Sequence, residues 1–204
     1  MSNLSRKSLF LILILVAVLA LGAALAVSLS DFNRDGNGWL TGPDQEARAA
    51  ITAASSFDKA GNGTKYYYTQ PNSTANASVT VNSAASWGSQ TNPYVINTTA
   101  QWILFINVFQ NQTSGFVGAD KYYLLGQDLN FGGATIGQVG FNGAGFNSTL
   151  YGNKHTIANA TIQWSRWCED SNGNYFSAPF HYINGGKVYD LNIASSIKLS
   201  MKTD

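Results

Sequence analysis

A block of four residues recurs at a fixed interval along the second half of the chain. Asp128-Leu129-Asn130-Phe131 is followed by Asn159-Ala160-Thr161-Ile162 and by Asp190-Leu191-Asn192-Ile193, each 31 residues after the last. Each block reads Asp or Asn, apolar, polar, large apolar. A second series, Phe116, Phe146 and Phe176, repeats every 30 residues. Short β-like blocks at such a period, separated by Gly- and Asn-rich turns, indicate a solenoid of stacked coils. Stacking sets equivalent positions about 4.8 Å apart. Strand neighbours face opposite sides, so one apolar row of each block points inward. Phe131, Ile162 and Ile193 form the larger row and are expected to make an inward column through residues 116–199.

Local signals fit this expectation. Thr98 and Gln101 have the spacing of a capping box, which predicts a helix that buries Trp102, Leu104, Phe105 and Val108. Gly152-Asn153 and Gly185-Gly186 supply residues able to take positive φ at tight corners. Ser196–Lys202 alternates apolar and polar residues and reads as a strand. No capping pattern follows it, so the last coil is expected to continue in a longer protein or to pair with another chain.

Several segments carry a family resemblance. Asn92-Pro93-Tyr94-Val95-Ile96 with Thr98-Thr99-Ala100-Gln101-Trp102, then Lys121–Leu125 and Asp128-Leu129-Asn130, resemble the opening of GLUG-motif surface proteins of bacteria and archaea. Leu150-Tyr151-Gly152-Asn153-Lys154-His155-Thr156-Ile157 is similar to the family's L-x-G-N-x-H-T-I. Phe180–Leu191 resembles its L-F-G-x-I-x-G-G-x-I-x-N-L, with His181 in place of a glycine. The likeness covers about residues 86–199, and Trp164–Tyr175 is a longer loop than the family needs. The resemblance implies an all-β fold: a right-handed parallel β-helix of about three coils, its first coil capped by the helix after Thr98. It also implies an adhesin-like surface role. Within this motif His155 reads as a corner hydrogen bonder rather than a catalytic base.

The N-terminal part has a different character. Arg6 and Lys7 precede an apolar run from Leu9 to Val27. A helix of that length spans roughly 28 Å, about the hydrocarbon thickness of a bilayer. The preceding charges place the N-terminus inside. Ala24-Leu25-Ala26 is a signal-peptidase type of site. Residues 1–30 are therefore expected to be a signal peptide, or a membrane anchor through residues 9–27 if uncleaved, and both export the rest. Asp31, Asn33, Asp35 and Asn37 alternate oxygen ligands like the start of an EF-hand loop, which makes them candidate calcium ligands. Gly42 stands where a closing Glu belongs, so a polar turn is the competing reading. A helix over Pro43–Ser56 and strands at Lys65–Thr69 and Ser78–Val81 are expected within a spacer or small cap, residues 31–85, ahead of the main domain, residues 86–204. Beyond the apolar run, seven N-x-S/T sequons, at Asn62, Asn72, Asn76, Asn97, Asn111, Asn147 and Asn159, permit glycosylation.

Composition narrows the function. Only 11% of residues are charged, the net charge is +1, and there is no basic stripe, so nucleic acid is not an expected partner. Cys168 is the only cysteine, so no internal disulfide is available. The leading expectation is an exported cell-surface adhesion or binding module for glycans, other surface polymers or another surface protein. Tyr66, Tyr67, Tyr68, Trp164 and Trp167 could stack on sugar rings or pack over a loop. A structural stalk or surface-layer component is the alternative. A polysaccharide lyase or hydrolase is a weaker one, because Glu169 and Asp170, with Arg166 in the same loop, are the only adjacent acidic pair in the domain. No catalytic residue is assigned, and no cofactor beyond the calcium loop.

Overall fold

The computed structural model describes residues 51–70, 75–140, 145–163 and 178–200, all within one unit, Ala49–Asp204. In chain order these residues form β1 (Asp58–Lys59), β2 (Lys65–Thr69), β3 (Asn76–Thr80), β4 (Tyr94–Ile96) and the helix α1 (Thr99–Gln110). Then come β5 (Tyr122–Leu125), β6 (Leu129–Asn130), β7 (Thr135–Ile136), β8 (Thr149–Tyr151), β9 (Thr156–Ala158) and β10 (Thr161–Gln163). The last are β11 (Lys187–Tyr189), β12 (Asn192–Ile193) and β13 (Lys198–Ser200).

Strands β4, β5, β8 and β11 pair in parallel, and β1 adds to β4 antiparallel, giving a five-stranded sheet. Two further parallel ladders run β6-β9-β12 and β7-β10-β13. Strands β2 and β3 form an antiparallel hairpin. On the inner face of the large sheet, Tyr94, Tyr123, Leu150 and Val188 lie in register. The other ladders contribute Leu129, Ile157 and Ile193, and Ile136, Ile162 and Leu199.

The expected all-β right-handed parallel β-helix is corrected by these pairings. The sheets are mixed, antiparallel as well as parallel, the ladders do not close into a solenoid, and a helix sits in the core. The physical reason lies in the strand faces. Tyr94-Val95-Ile96 and Thr149-Leu150-Tyr151 are buried at every residue. A parallel strand that is apolar on both faces needs cover on both. The β2–β3 hairpin supplies it, seating Tyr66 and Val81 against Val95, Leu124 and Tyr151.

The expected inward column is corrected as well. Phe131, Ile162 and Ile193 do not share a row: Ile193 pairs with Ile157, and Ile162 with Ile136 and Leu199. The interval between paired residues is not constant. Along the inner row it is 29 from Tyr94 to Tyr123, 27 to Leu150 and 38 to Val188. A search at equal spacing therefore lands out of register.

The helix begins where its capping box places it. The Thr98 hydroxyl accepts from the Gln101 N–H at 3.1 Å, and the Gln101 side chain accepts from Thr98 N–H at 3.1 Å and from Asn97 N–H at 2.7 Å. These bonds satisfy donors that a helix start leaves open. Trp102, Phe105, Val108 and Phe109 then pack into one core with Tyr123, Phe146, Leu150, Ile157 and Ile162, while Leu104 is only partly buried. Each such large side chain contributes about 1.5–3 kcal/mol by leaving water.

Two N-terminal expectations are limited by what is described. The helix over Pro43–Ser56 does not extend into residues 51–56, which are irregular, and its remainder lies outside the described residues. The transmembrane or signal helix over residues 9–27 is corrected to the same extent. That run lies outside the described residues, and among these no helix is long and apolar enough to cross a membrane.

Candidate functional site

The outer face of the large sheet carries a row of tyrosines. Tyr122 and Tyr151 stack with ring centroids 6.3 Å apart, and Tyr151 and Tyr189 with centroids 5.5 Å apart and planes 15° from parallel. The hairpin reaches over this row. Its residues alternate faces, so Tyr66 and Tyr68 point down while Tyr67 points to solvent. Tyr66 sits 4.9 Å from Tyr151, and Tyr68 lies 4.9 Å from Tyr151 and 5.3 Å from Tyr189.

Hydrogen bonds fix the hairpin at two corners of the chain. The Thr69 N–H donates to the Asp190 carboxylate at 2.6 Å, and the Tyr67 N–H donates to the Asn153 side-chain oxygen at 3.3 Å. Asp190 and Asn153 both hold left-handed backbones, with φ of 46° and 52°. Asn and Asp tolerate this region better than other side chains, and each offers an oxygen there. The expected corner Gly152-Asn153 thus works differently from its sequence reading. Asn153 and Lys154 take the positive φ, whereas a side chain on Gly152 would collide with the backbone of Asp190 and Leu191.

The buried tyrosine hydroxyls are relayed outward. Tyr66 donates to the Gln90 carbonyl at 2.6 Å, and the Gln90 side-chain amide donates to the Tyr151 hydroxyl at 3.3 Å. Burial pushes the Tyr66 hydroxyl far above its ordinary range. It pushes Tyr151 up to about 12, with the Gln90 bond pulling the other way. Both hydroxyls stay protonated at neutral pH and so can donate.

Where the tyrosine row reaches the last strand, an open groove of about 500 Å³ remains, lined by Tyr68, Gln70, Lys187, Val188 and Tyr189. Lys187 forms no ion pair among the described residues. The groove offers an aromatic surface, a side-chain amide and an ammonium. That set can stack on an apolar ring face and hydrogen-bond to hydroxyls or carbonyls at its rim.

The residues singled out from sequence fall in three places. Tyr68 lines the groove, Tyr66 is fully buried on the hairpin's inward face, and Tyr67 is exposed on its far side. His155 sits at a corner, its Nδ1 3.2 Å from an Asp128 carboxylate oxygen that also accepts the Thr156 N–H at 2.8 Å. The Thr156 amide, and then His155, hold Asp128 below the usual carboxylate range. The candidate calcium ligands Asp31, Asn33, Asp35 and Asn37 lie outside the described residues, as do Trp164, Arg166, Trp167, Cys168, Glu169 and Asp170. Among the described residues no group of three or more His, Cys, Asp or Glu could hold a metal ion. Tyr122, Tyr151, Tyr189, Gln70 and Lys187 were not singled out from sequence. Their signal was a tyrosine in each of three short apolar runs, at intervals too unequal to register as a repeat.

No family model matches the chain, and neither does any curated protein or solved structure. The resemblance to GLUG-motif proteins therefore rests on the quoted residues alone.

Proposed function

We propose that the protein is an exported surface binding module whose tyrosine-rich groove takes a carbohydrate. The observation that carries this reading is the end of the tyrosine row. The Tyr189 ring is stacked on Tyr151 and touches Tyr68, and the groove runs beside this pair, lined also by Gln70 and Lys187. A pyranose has an apolar C–H face that stacks on such a ring, while its hydroxyls bond to an amide and an ammonium at the rim. The exterior, poor in charge and rich in Asn, Ser and Thr, suits an extracellular setting, and the sequons at Asn62, Asn76 and Asn111 are on exposed residues.

The test is a glycan-array screen of the purified chain, followed by calorimetric titration of the best oligosaccharide. Tyr189→Ala is expected to weaken binding about tenfold, equivalent to about 1.4 kcal/mol. Gln70→Ala should weaken it by less. Retention of no glycan on the array, or binding indifferent to Tyr189→Ala, overturns the reading and favours a purely structural stalk or surface-layer role.

A further inference from the structure

The hairpin of β2 and β3 turns one face to the tyrosine row and the other to solvent. On the outer face Lys65 pairs with Thr80, Tyr67 with Ser78, and Thr69 with Asn76. The Tyr67 and Thr69 N–H groups go to Asn153 and Asp190 rather than across the hairpin. These outer pairs are therefore the non-hydrogen-bonded pairs of the ladder, whose facing side chains come closest. The Thr69 hydroxyl accordingly reaches the Asn76 side-chain oxygen at 3.5 Å.

Packing leaves two residues of this face unaccounted for. Tyr67 is 49% exposed, and its ring meets no other ring among the described residues. The other exposed large apolar side chains, Tyr182, Ile183, Ile193 and Leu199, lie in the last described segment, away from the hairpin in sequence. Asn76 opens the sequon Asn76-Ala77-Ser78, and its Asn and Ser both face outward. The Asn76 amide nitrogen donates to no group among the described residues. The other described sequons differ. Asn97 donates its amide to the Asp58 carboxylate at 2.8 Å, and Asn159 to the Asn130 side chain at 3.0 Å. Asn147 accepts the Gly118 N–H, and its sequon ends on a buried Thr149. Asn62 and Asn111 are exposed turn residues outside any strand, so no cross-strand ring faces them.

We propose that Asn76 is a glycosylation site and that Tyr67 is the platform for its first sugar. Tyr67 is the diagonal neighbour of Asn76. Such neighbours lie about 7–8 Å apart, within reach of an aromatic side chain. A sugar ring joined to the Asn76 nitrogen spans that distance and lays its C–H face on the Tyr67 ring. The donor is a lipid-linked oligosaccharide. The amide nitrogen bonds to the anomeric carbon and releases one proton. The bond from that carbon to the lipid phosphate breaks, and its electron pair leaves with the phosphate. The proposal rests on the export part of the reading above and makes no use of the groove.

The experiment offers the folded, unmodified full chain to an oligosaccharyltransferase that reads N-x-S/T, with a lipid-linked oligosaccharide as donor. Sites are mapped by peptide mass spectrometry. Asn76 is expected to be modified, and Asn97 and Asn147 to stay bare. In NMR spectra of the product, ring protons of the sugar on Asn76 are expected to shift upfield, as protons over an aromatic face do. Tyr67→Phe should keep that shift, and Tyr67→Ala should abolish it while Asn76 is still modified. Should Tyr67→Ala not fold, Tyr67→Thr, a residue suited to strands, replaces it. An Asn76 that stays bare, or Asn97 and Asn147 modified as readily, overturns the proposal. So does a wild-type sugar with no upfield shift, or a shift that survives loss of the Tyr67 ring. Any of these leaves the groove reading standing, and an empty glycan array leaves this proposal standing.

Discussion

The central strands of the large sheet, β4, β5 and β8, are covered on both faces, and the two faces are covered by different chemistry. On the inner face, Tyr94, Tyr123 and Leu150 meet Trp102, Phe105 and Phe109 of the helix with Phe146 from the chain beyond. Phe105 alone lies within 6 Å of the rings of Trp102, Phe109, Tyr123 and Phe146. On the outer face, Val95, Leu124 and Tyr151 meet Tyr66 and Val81 of the hairpin, with Tyr68 and Tyr189 at the margin. The inner face is sealed by side chains that offer few polar groups. The outer face ends in hydroxyls, amides and a groove. Apolar packing is concentrated on the first, and the groove proposed to take a ligand lies on the second, because a tyrosine can be both packed and wet whereas a phenylalanine cannot.

The comparison can be broken in several ways. Strong alkali should have the largest effect. Burial holds the hydroxyls of Tyr66, Tyr123 and Tyr151 neutral, with pKa values above the ordinary 10.0, Tyr151 at about 12. A raised folded-state pKa means full stabilisation below pH 10 that is lost as pH climbs through the folded value. Tyrosinate absorbance and loss of circular dichroism should therefore rise together near and above pH 12. Ionisation of these tyrosines in a still-folded chain would contradict the burial argument on both faces.

Phe105→Ala should come next, costing about 3–5 kcal/mol in denaturant unfolding, as expected for emptying a fully buried aromatic site. If the faces differ as argued, Tyr66→Phe costs only about 1 kcal/mol. It removes a single hydroxyl and leaves the Gln90 carbonyl without its donor. Hydrogen exchange sharpens the contrast further: Tyr66→Phe should speed exchange in β2 and β3 while α1 keeps its protection. Equal loss in both regions would show one cooperative core. Removing the Asp128 carboxylate by Asp128→Asn should have the smallest effect. That group is exposed and its pKa is lowered, so its contribution is present at neutral pH and fades as pH falls through the folded value. Wild type should lose slightly more stability than Asp128→Asn between neutral and strongly acidic pH, measured by urea unfolding.

Much of the local structure was legible in the sequence, and the long-range pairing was not. Thr98 and Gln101 marked the helix start because a capping box is a local device. The strands at Lys65–Thr69 and near Ser78 were marked by Tyr- and Val-rich runs between turn residues. The 31-residue spacing misled because register follows apolar rows rather than arc length, so Leu129 meets Ile157 and not Ala160. The two-faced burial was present as a signal in Tyr94-Val95-Ile96 and Tyr122-Tyr123-Leu124-Leu125, continuous apolar runs where an exposed outer face would alternate. Tyr68 was legible as an aromatic candidate. Its partners were not, because Tyr151 and Tyr189 come together with it only through pairings over more than 80 residues of chain.

The uneven intervals between the rows bear on how such a chain can change over time. Twelve residues separate β7 from β8, and 23 separate β10 from β11. Yet β8 and β11 meet in register, Leu150 beside Val188. The length of chain between strands thus varies while the paired rows keep their register. New segments can be inserted there, by duplication in nature or by grafting in the laboratory, without disturbing the ladders on either side.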